Sequence, residues 1–212
     1  MFQIEKNKVL SKLKTKSPLL FMAGGFLFIL IGCFDLWSKA ESQVNALEHA
    51  NRVVQKPIVQ LQISEDFHDR VQDTNSNSVE TNSKVLGILS LPSLAANLPI
   101  VAGIDEDALD VGVGHYPGTA LPTENDQIVL SGHRDTVFRR LGDLDIGEEV
   151  ILQLEEGKFS YKITKTKIVD KDDRTIIIPT YPTEELVLIT CYPFHMIGNA
   201  PKRYIVYATP TY

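Results

Sequence analysis

A cysteine at the end of a long apolar run is the first feature of this sequence that could do chemistry. Leu186-Val187-Leu188-Ile189-Thr190-Cys191 reads as a buried strand, and Tyr192-Pro193-Phe194 breaks it just past the thiol. A side chain at the end of a rigid strand is held firmly and can still reach a surface cleft. A thiol attacks as its thiolate, so it needs an imidazole or a guanidinium nearby to favour that form. His115, His133 and His195 are all available, and spacing alone does not choose among them. His133 closes a second apolar run, Ile128-Val129-Leu130-Ser131-Gly132-His133-Arg134-Asp135. Arg203 opens a third, from Pro201-Lys202-Arg203 into Tyr204-Ile205-Val206-Tyr207, and competes with Arg134, Arg139, Arg140 and Arg174. A Cys, a His and an Arg at the edges of three strands could meet on one rim of a barrel. The plainer alternative is a buried structural thiol beside solvated arginines.

Other chemistries have weaker support. Cys191 and His195 lack the cluster of further ligands that a zinc site needs. Gly112-Val113-Gly114 lacks the third glycine and the following helix of a dinucleotide loop. Two acidic clusters, Asp105/Glu106/Asp107/Asp110 and Asp170/Asp172/Asp173, show no ligand spacing that demands a cation and read as solvated loops. No metal is expected.

The elements that would carry these residues are mostly short strands. They are expected at residues 85–89, 99–101, 127–131, 150–154, 158–164, 167–170, 186–190 and 203–207, with Glu155-Glu156-Gly157 as a hairpin turn. Short helices are expected at 105–109 and 136–141. Many strands with few helices point to an all-β barrel or sandwich.

The N-terminal third differs. Residues 1–16 hold five lysines against one acid and read as a cytoplasmic basic tail. Residues 18–34 carry no charge, and Trp37 stands just beyond, so 17–37 is expected to be a transmembrane anchor with everything after it outside the cell. Ser38-Lys39-Ala40 also fits a signal-peptide cleavage site, but the apolar run is long for a signal core. Residues 38–83 are expected to form a stalk and tether. Ala40, Val44, Leu47, Ala50 and Val54 lie at helical spacing, and 60–83 is polar and low in apolar residues. The folded domain is then 84–212. It carries 12 Lys/Arg and 18 Asp/Glu, a net charge of −6, which argues against a nucleic-acid partner. Cys33 lies in the apolar run, so Cys191 is the single thiol of the exported part and has no disulfide partner.

These segments resemble the sortases, the cysteine transpeptidases of Gram-positive cell surfaces, over roughly residues 84–212. The family's Thr-Leu-x-Thr-Cys strand end stands here as Val187-Leu188-Ile189-Thr190-Cys191, with Val in place of the first Thr. Gly112–Pro117, Ser131–Arg140 and Thr190–Phe194 are similar to class D members. The resemblance implies a sortase-like eight-stranded β-barrel with short helices. It implies Cys191 as nucleophile, His133 as its acid/base partner and Arg203 as the stabiliser of the oxyanion. It implies cleavage of an LPXTG-like sorting signal, LPXTA being plausible for class D. Cleavage would pass through a thioester, and the protein would go to an amine of the lipid-linked peptidoglycan precursor. The enzyme would be a single-pass plasma-membrane protein whose catalytic domain faces the cell wall. No cofactor is implied, although class A members can be calcium-stimulated. Thr190, Ser131, Ile178 and Tyr192 are expected to line the substrate groove, with the loop 171–185 as its wall. Two other readings remain: a hydrolytic cysteine protease, and an anchored binding module with a buried thiol.

Overall fold

The computed structural model describes residues 2–55, 84–196 and 198–211; the polar tether expected over 60–83 lies outside them. Eight strands occur among the described residues: β1 Val85–Leu91, β2 Ala96–Ala102, β3 Val113–His115, β4 Gln127–Ser131, β5 Glu149–Leu154, β6 Gly157–Asp170, β7 Glu185–Tyr192 and β8 Lys202–Pro210. They close into a barrel in the order β1-β2-β3-β4-β7-β8-β6-β5. The pairs β2–β3 and β4–β7 are parallel, and all the others are antiparallel.

Side-chain alternation sorts these strands into an inner and an outer layer. Ile128 and Leu130 of β4, Leu186 and Leu188 of β7, and Val206 and Ala208 of β8 join Leu89, Leu152, Tyr161 and Ile163 in the main core. Phe138, Leu141 and Leu144 plug that core from the loop after β4. The intervening residues Val129, Val187, Ile205 and Tyr207 form a second cluster with Val169 and Ile176. Thus β4, β7 and β8 are apolar on both faces, and their sequences read as continuous apolar runs rather than alternating ones. The seam between β1 and β5 depends on Gly87. A Cβ there would sit 2.1 Å from Gln153 O and 2.7 Å from the Leu154 side chain, so only glycine fits.

The barrel agrees with expectation, although its strands differ in two places. β6 is one 14-residue strand where two were expected, because Thr164–Ile168 are all exposed and lose the apolar alternation at a register shift between Ile163 and Lys165. β3 was not foreseen: it is three residues long and rich in glycine, below what periodicity can register. The helix expected at 136–141 is instead a series of turns that ends in a 3-10 turn, Leu141–Asp143. Helix α2, Glu106–Val111, is capped by Asp105, whose carboxylate accepts from Ala108 N at 3.0 Å.

The N-terminal segment is a single helix, α1, Phe2–Val54. Its residues up to Ser42 form one unit, and residues from Gln43 onward belong with the barrel. In the first unit Phe26, Phe28, Ile29, Phe34 and Trp37 are exposed. Among the described residues no helix is long and apolar enough to cross a membrane, so the anchor expected at 17–37 is not shown. In the second unit the buried positions of α1 are Ala46 and Ala50, whereas Val44 of the expected stripe is 64% exposed. Ala46, a small side chain, packs in a cluster with Val101, Ala108 and Val111, against which Val85 also rests.

Candidate active site

Cys191 lies next to last in β7, with Arg203 across from it on β8 and His133 two residues past the end of β4 on its other side. In the antiparallel β7–β8 ladder, Cys191 is the direct partner of Arg203. In the parallel β4–β7 ladder the register runs from Gln127↔Glu185 to Ser131↔Ile189. Gly132 N extends it by donating to Ile189 O at 3.1 Å. His133 and Cys191 each come two residues after the last registered pair, Ser131↔Ile189. β7, which carries the thiol, thus lies between β8, which carries Arg203, and β4, the strand that His133 follows. Cys191, His133 and Arg203 are all half-buried.

The fold also separates the competing candidates. His115 pairs with Leu130, three residues before His133, and its Nε2 is engaged by Ala120 O at 2.9 Å and the Thr119 hydroxyl at 3.2 Å. His195 is exposed in the loop between β7 and β8. Arg134 donates to Pro193 O at 3.3 Å and to Gly198 O at 2.5 Å, and so ties the chain after His133 to the loop after Cys191. Arg139 donates to Asp135 O, Arg140 pairs with Asp143 on the surface, and Arg174 is exposed. Arg203 uses its Nη1 to donate to Ala200 O at 3.3 Å and Lys202 O at 3.0 Å. The acceptors are the backbone carbonyls of Ala200, in the loop before β8, and of Lys202, its first residue, so one prong of the guanidinium fork is held.

A groove of about 240 Å³ reaches Arg203 along the outer face of β4, β7 and β8. Ile189, Ile205, Ser131 and Arg203 form its floor, Ile176 and Ile177 one wall, and Tyr116 and Ile104 the other; Lys171 and Asp173 lie at its edge. Asp173 is held ionised: the Thr175 hydroxyl and backbone N–H, together with the charge of Lys167, keep its carboxyl below the ordinary value of 3.8.

The four expected groove residues separate. Ser131 lines the groove. Thr190 is 2% exposed and donates its hydroxyl to Gly132 O at 2.7 Å, so it stitches the cysteine strand to the histidine strand rather than facing the groove. Ile178 is 50% exposed and borders a smaller pocket of about 100 Å³ with Thr119, Asp126 and Pro179. The Tyr192 ring stacks on Tyr204 at 6.2 Å and meets Phe194 edge-on at 5.7 Å. Both Phe194 and Tyr204 pack against the main core. Sequence reasoning missed Ile189 and Ile205, whose outward orientation is hidden when both faces of a strand are apolar, and Tyr116, which follows the unforeseen strand β3. Among the described residues no group of three or more His, Cys, Asp or Glu could hold a metal ion.

This geometry agrees with three comparisons. A sequence model of the sortase domain matches residues 89–211. The chain is 46% identical over 195 residues to Sortase D of Bacillus subtilis, covering 92% of this chain and 98% of that one. Its fold resembles a Clostridium perfringens Sortase D5 transpeptidase (TM-score 0.63, 19% identity, 81% of this chain and 99% of that one). It also resembles Streptococcus agalactiae Sortase C1 (TM-score 0.55, 26% identity, 59% of this chain and 66% of that one).

Proposed function

The chain belongs to the sortase family of cysteine transpeptidases, and from that premise we propose that it cleaves an LPXTA-type sorting signal after Thr and joins the freed protein to an amine of the peptidoglycan precursor. The observation that carries this reading is the pairing of Cys191 with Arg203 across β7 and β8, with His133 two residues past the end of the adjoining β4 and Arg203 lining an isoleucine-rich groove.

In this reading the Leu and Pro of the signal lie against Ile176, Ile177, Ile189 and Ile205, and the Thr carbonyl stops beside Cys191. The Cys191 thiolate attacks that carbonyl carbon. Arg203 faces the developing oxyanion from β8 and stabilises it, an interaction stronger in the transition state than in the bound peptide. His133 as imidazolium gives its proton to the departing amine, the C–N bond breaks, and a thioester remains on Sγ. The acceptor amine then attacks the thioester. His133 takes a proton from it, the C–S bond breaks, and the cysteine is free again. Apolar walls exclude water and favour the amine over hydrolysis. No cofactor takes part in these steps.

The proposal includes a membrane anchor at 17–37. Its support is the uncharged run 18–34 with lysines before it, and the exposed aromatic and aliphatic side chains of α1 between Phe26 and Trp37. An anchor there holds the catalytic barrel on the outer side, where sorting signals emerge.

The test uses the full chain in detergent, an LPXTA peptide and a small primary amine. The proposal expects a peptide–amine conjugate by mass spectrometry that requires both the amine and Cys191. Hydrolysed peptide alone, at any amine concentration, would make the protein a protease instead.

A further inference from the structure

We propose that Gln127 and Asp126 are positioning residues that set the affinity for the sorting peptide by fixing the wall of the groove, without touching the peptide or the reacting atoms. This inference rests on the functional reading above.

The wall belongs to the loop between β6 and β7, which has no regular strand of its own. Its shape has to be imposed from outside. Gln127, the first residue of β4, is 3% exposed, and a buried carboxamide is stable only if both its ends are bonded. Its Nε2 donates to Ile176 O at 3.1 Å and its Oε1 accepts from Ile178 N at 3.1 Å. These are the carbonyl and the amide on either side of Ile177. In a parallel ladder, one residue bonds to the carbonyl before and the amide after its partner. The Gln127 side chain therefore stands in for one rung of a parallel strand, with Ile177 as its partner. Nε2 also lies 3.4 Å from the Glu185 carboxylate, which fixes the orientation of the amide.

Asp126 continues the clamp. A single carboxylate oxygen accepts from Thr180 N at 2.5 Å, Tyr181 N at 3.1 Å and the Thr180 hydroxyl at 3.3 Å. Two adjacent residues thus hold five bonds across residues 176–181. The bonds from Thr180 and Gln127 N keep the Asp126 carboxyl below its ordinary value, so the clamp stays charged at any pH where the enzyme would work. Ile176, 5% exposed, and Ile177 line the groove next to Ile189 and Arg203. A wall fixed in advance removes an ordering cost from peptide binding. It has no part in the bond-making steps, so its loss belongs in KM and not in kcat.

The variants are Gln127→Met, which keeps the volume and removes both bonds, and Asp126→Ala, with Asp126→Asn as the conservative control that keeps an acceptor oxygen. They are made in the full chain in detergent and assayed with the LPXTA peptide and a saturating amine. Gln127→Met and Asp126→Ala are expected to raise KM for the peptide by about tenfold and to leave kcat within about twofold. Asp126→Asn is expected to recover most of the lost affinity. Alkylation of Cys191 by iodoacetamide, which does not need the wall, proceeds at the wild-type rate in all three. Amide exchange over 176–181 speeds up in Gln127→Met and Asp126→Ala. Unchanged KM in both of these, or kcat and alkylation falling together, would overturn the inference. A wild-type chain with no transfer activity would sink the functional reading alone, because the exchange measurement tests the clamp without it.

Discussion

Thr190→Val removes one hydroxyl and tests whether the stitch between β4 and β7 holds the site in register. The Thr190 hydroxyl is buried and donates to Gly132 O at 2.7 Å. Valine has nearly the same shape and no donor, so the Gly132 carbonyl loses this partner. A buried acceptor left unpaired costs about 1–3 kcal/mol. Burying a methyl in place of the hydroxyl returns roughly 1 kcal/mol. The net loss is then about 0–2 kcal/mol, centred near 1, and Tm falls by about 4 °C, at most about 8 °C, for a domain of this size. Gly132 is covalently bonded to His133, so a relaxed carbonyl also moves the imidazole relative to Cys191. Small misplacements of a catalytic group cost up to about a hundredfold, and a tenfold loss of kcat/KM is expected here. The assays are differential scanning calorimetry and the peptide–amine transfer rate. Thr190→Ser restores the donor and should recover both. A Thr190→Val protein with wild-type Tm and wild-type kcat/KM would refute this reasoning.

Three further outcomes are expected. Arg203→Ala should lower kcat about 10²–10³-fold as an oxyanion partner is lost. Arg203→Lys should recover little of it, because lysine cannot keep the fork held at Ala200 O and Lys202 O; steady-state kinetics decide. Gly87→Ala forces a Cβ into Gln153 O and should open the β1–β5 seam at a cost of about 3 kcal/mol or more, read by urea denaturation. Asp173 has a folded-state pKa below 3.8, so its contribution to stability is present above pH 3.8 and is lost as the pH falls through the lowered value. Asp173→Asn should flatten the acid limb of the Tm–pH curve by lowering Tm in the neutral range, while Tm below the lowered pKa stays unchanged.

Much of the barrel was legible in the sequence, because apolar runs bounded by turn residues mark strands whichever face they bury. β4 was read to the residue. β7 and β8 were found by their cores, with Glu185, Cys191, Tyr192, Lys202 and Ala208–Pro210 left off the ends. The number of strands agreed, but only because splitting β6 offset missing β3. Neither error could be detected from periodicity. A bulged, exposed stretch such as Thr164–Ile168 has no alternation, and a three-residue strand is held by its neighbours rather than by its own pattern. The candidate site was legible through residue type and order, since a strand-end Cys, a strand-end His and a strand-start Arg all stood out. The choice of His133 over His115 and His195 needed either family resemblance or the parallel β4–β7 register, a contact spanning 58 positions. The groove was the least legible part. Its floor comes from the outward faces of β7 and β8, which look like core, and its wall depends on a glutamine that sequence alone marks as just another polar residue.

The most direct test of the account is the mass of the intact chain after incubation with an LPXTA peptide and no amine. A thioester at Cys191 predicts a protein heavier by the peptide's fragment through Thr. The adduct should map to Cys191, be released by hydroxylamine, and be absent in Cys191→Ala. No adduct during turnover, or an adduct on any other residue, would contradict the central claim.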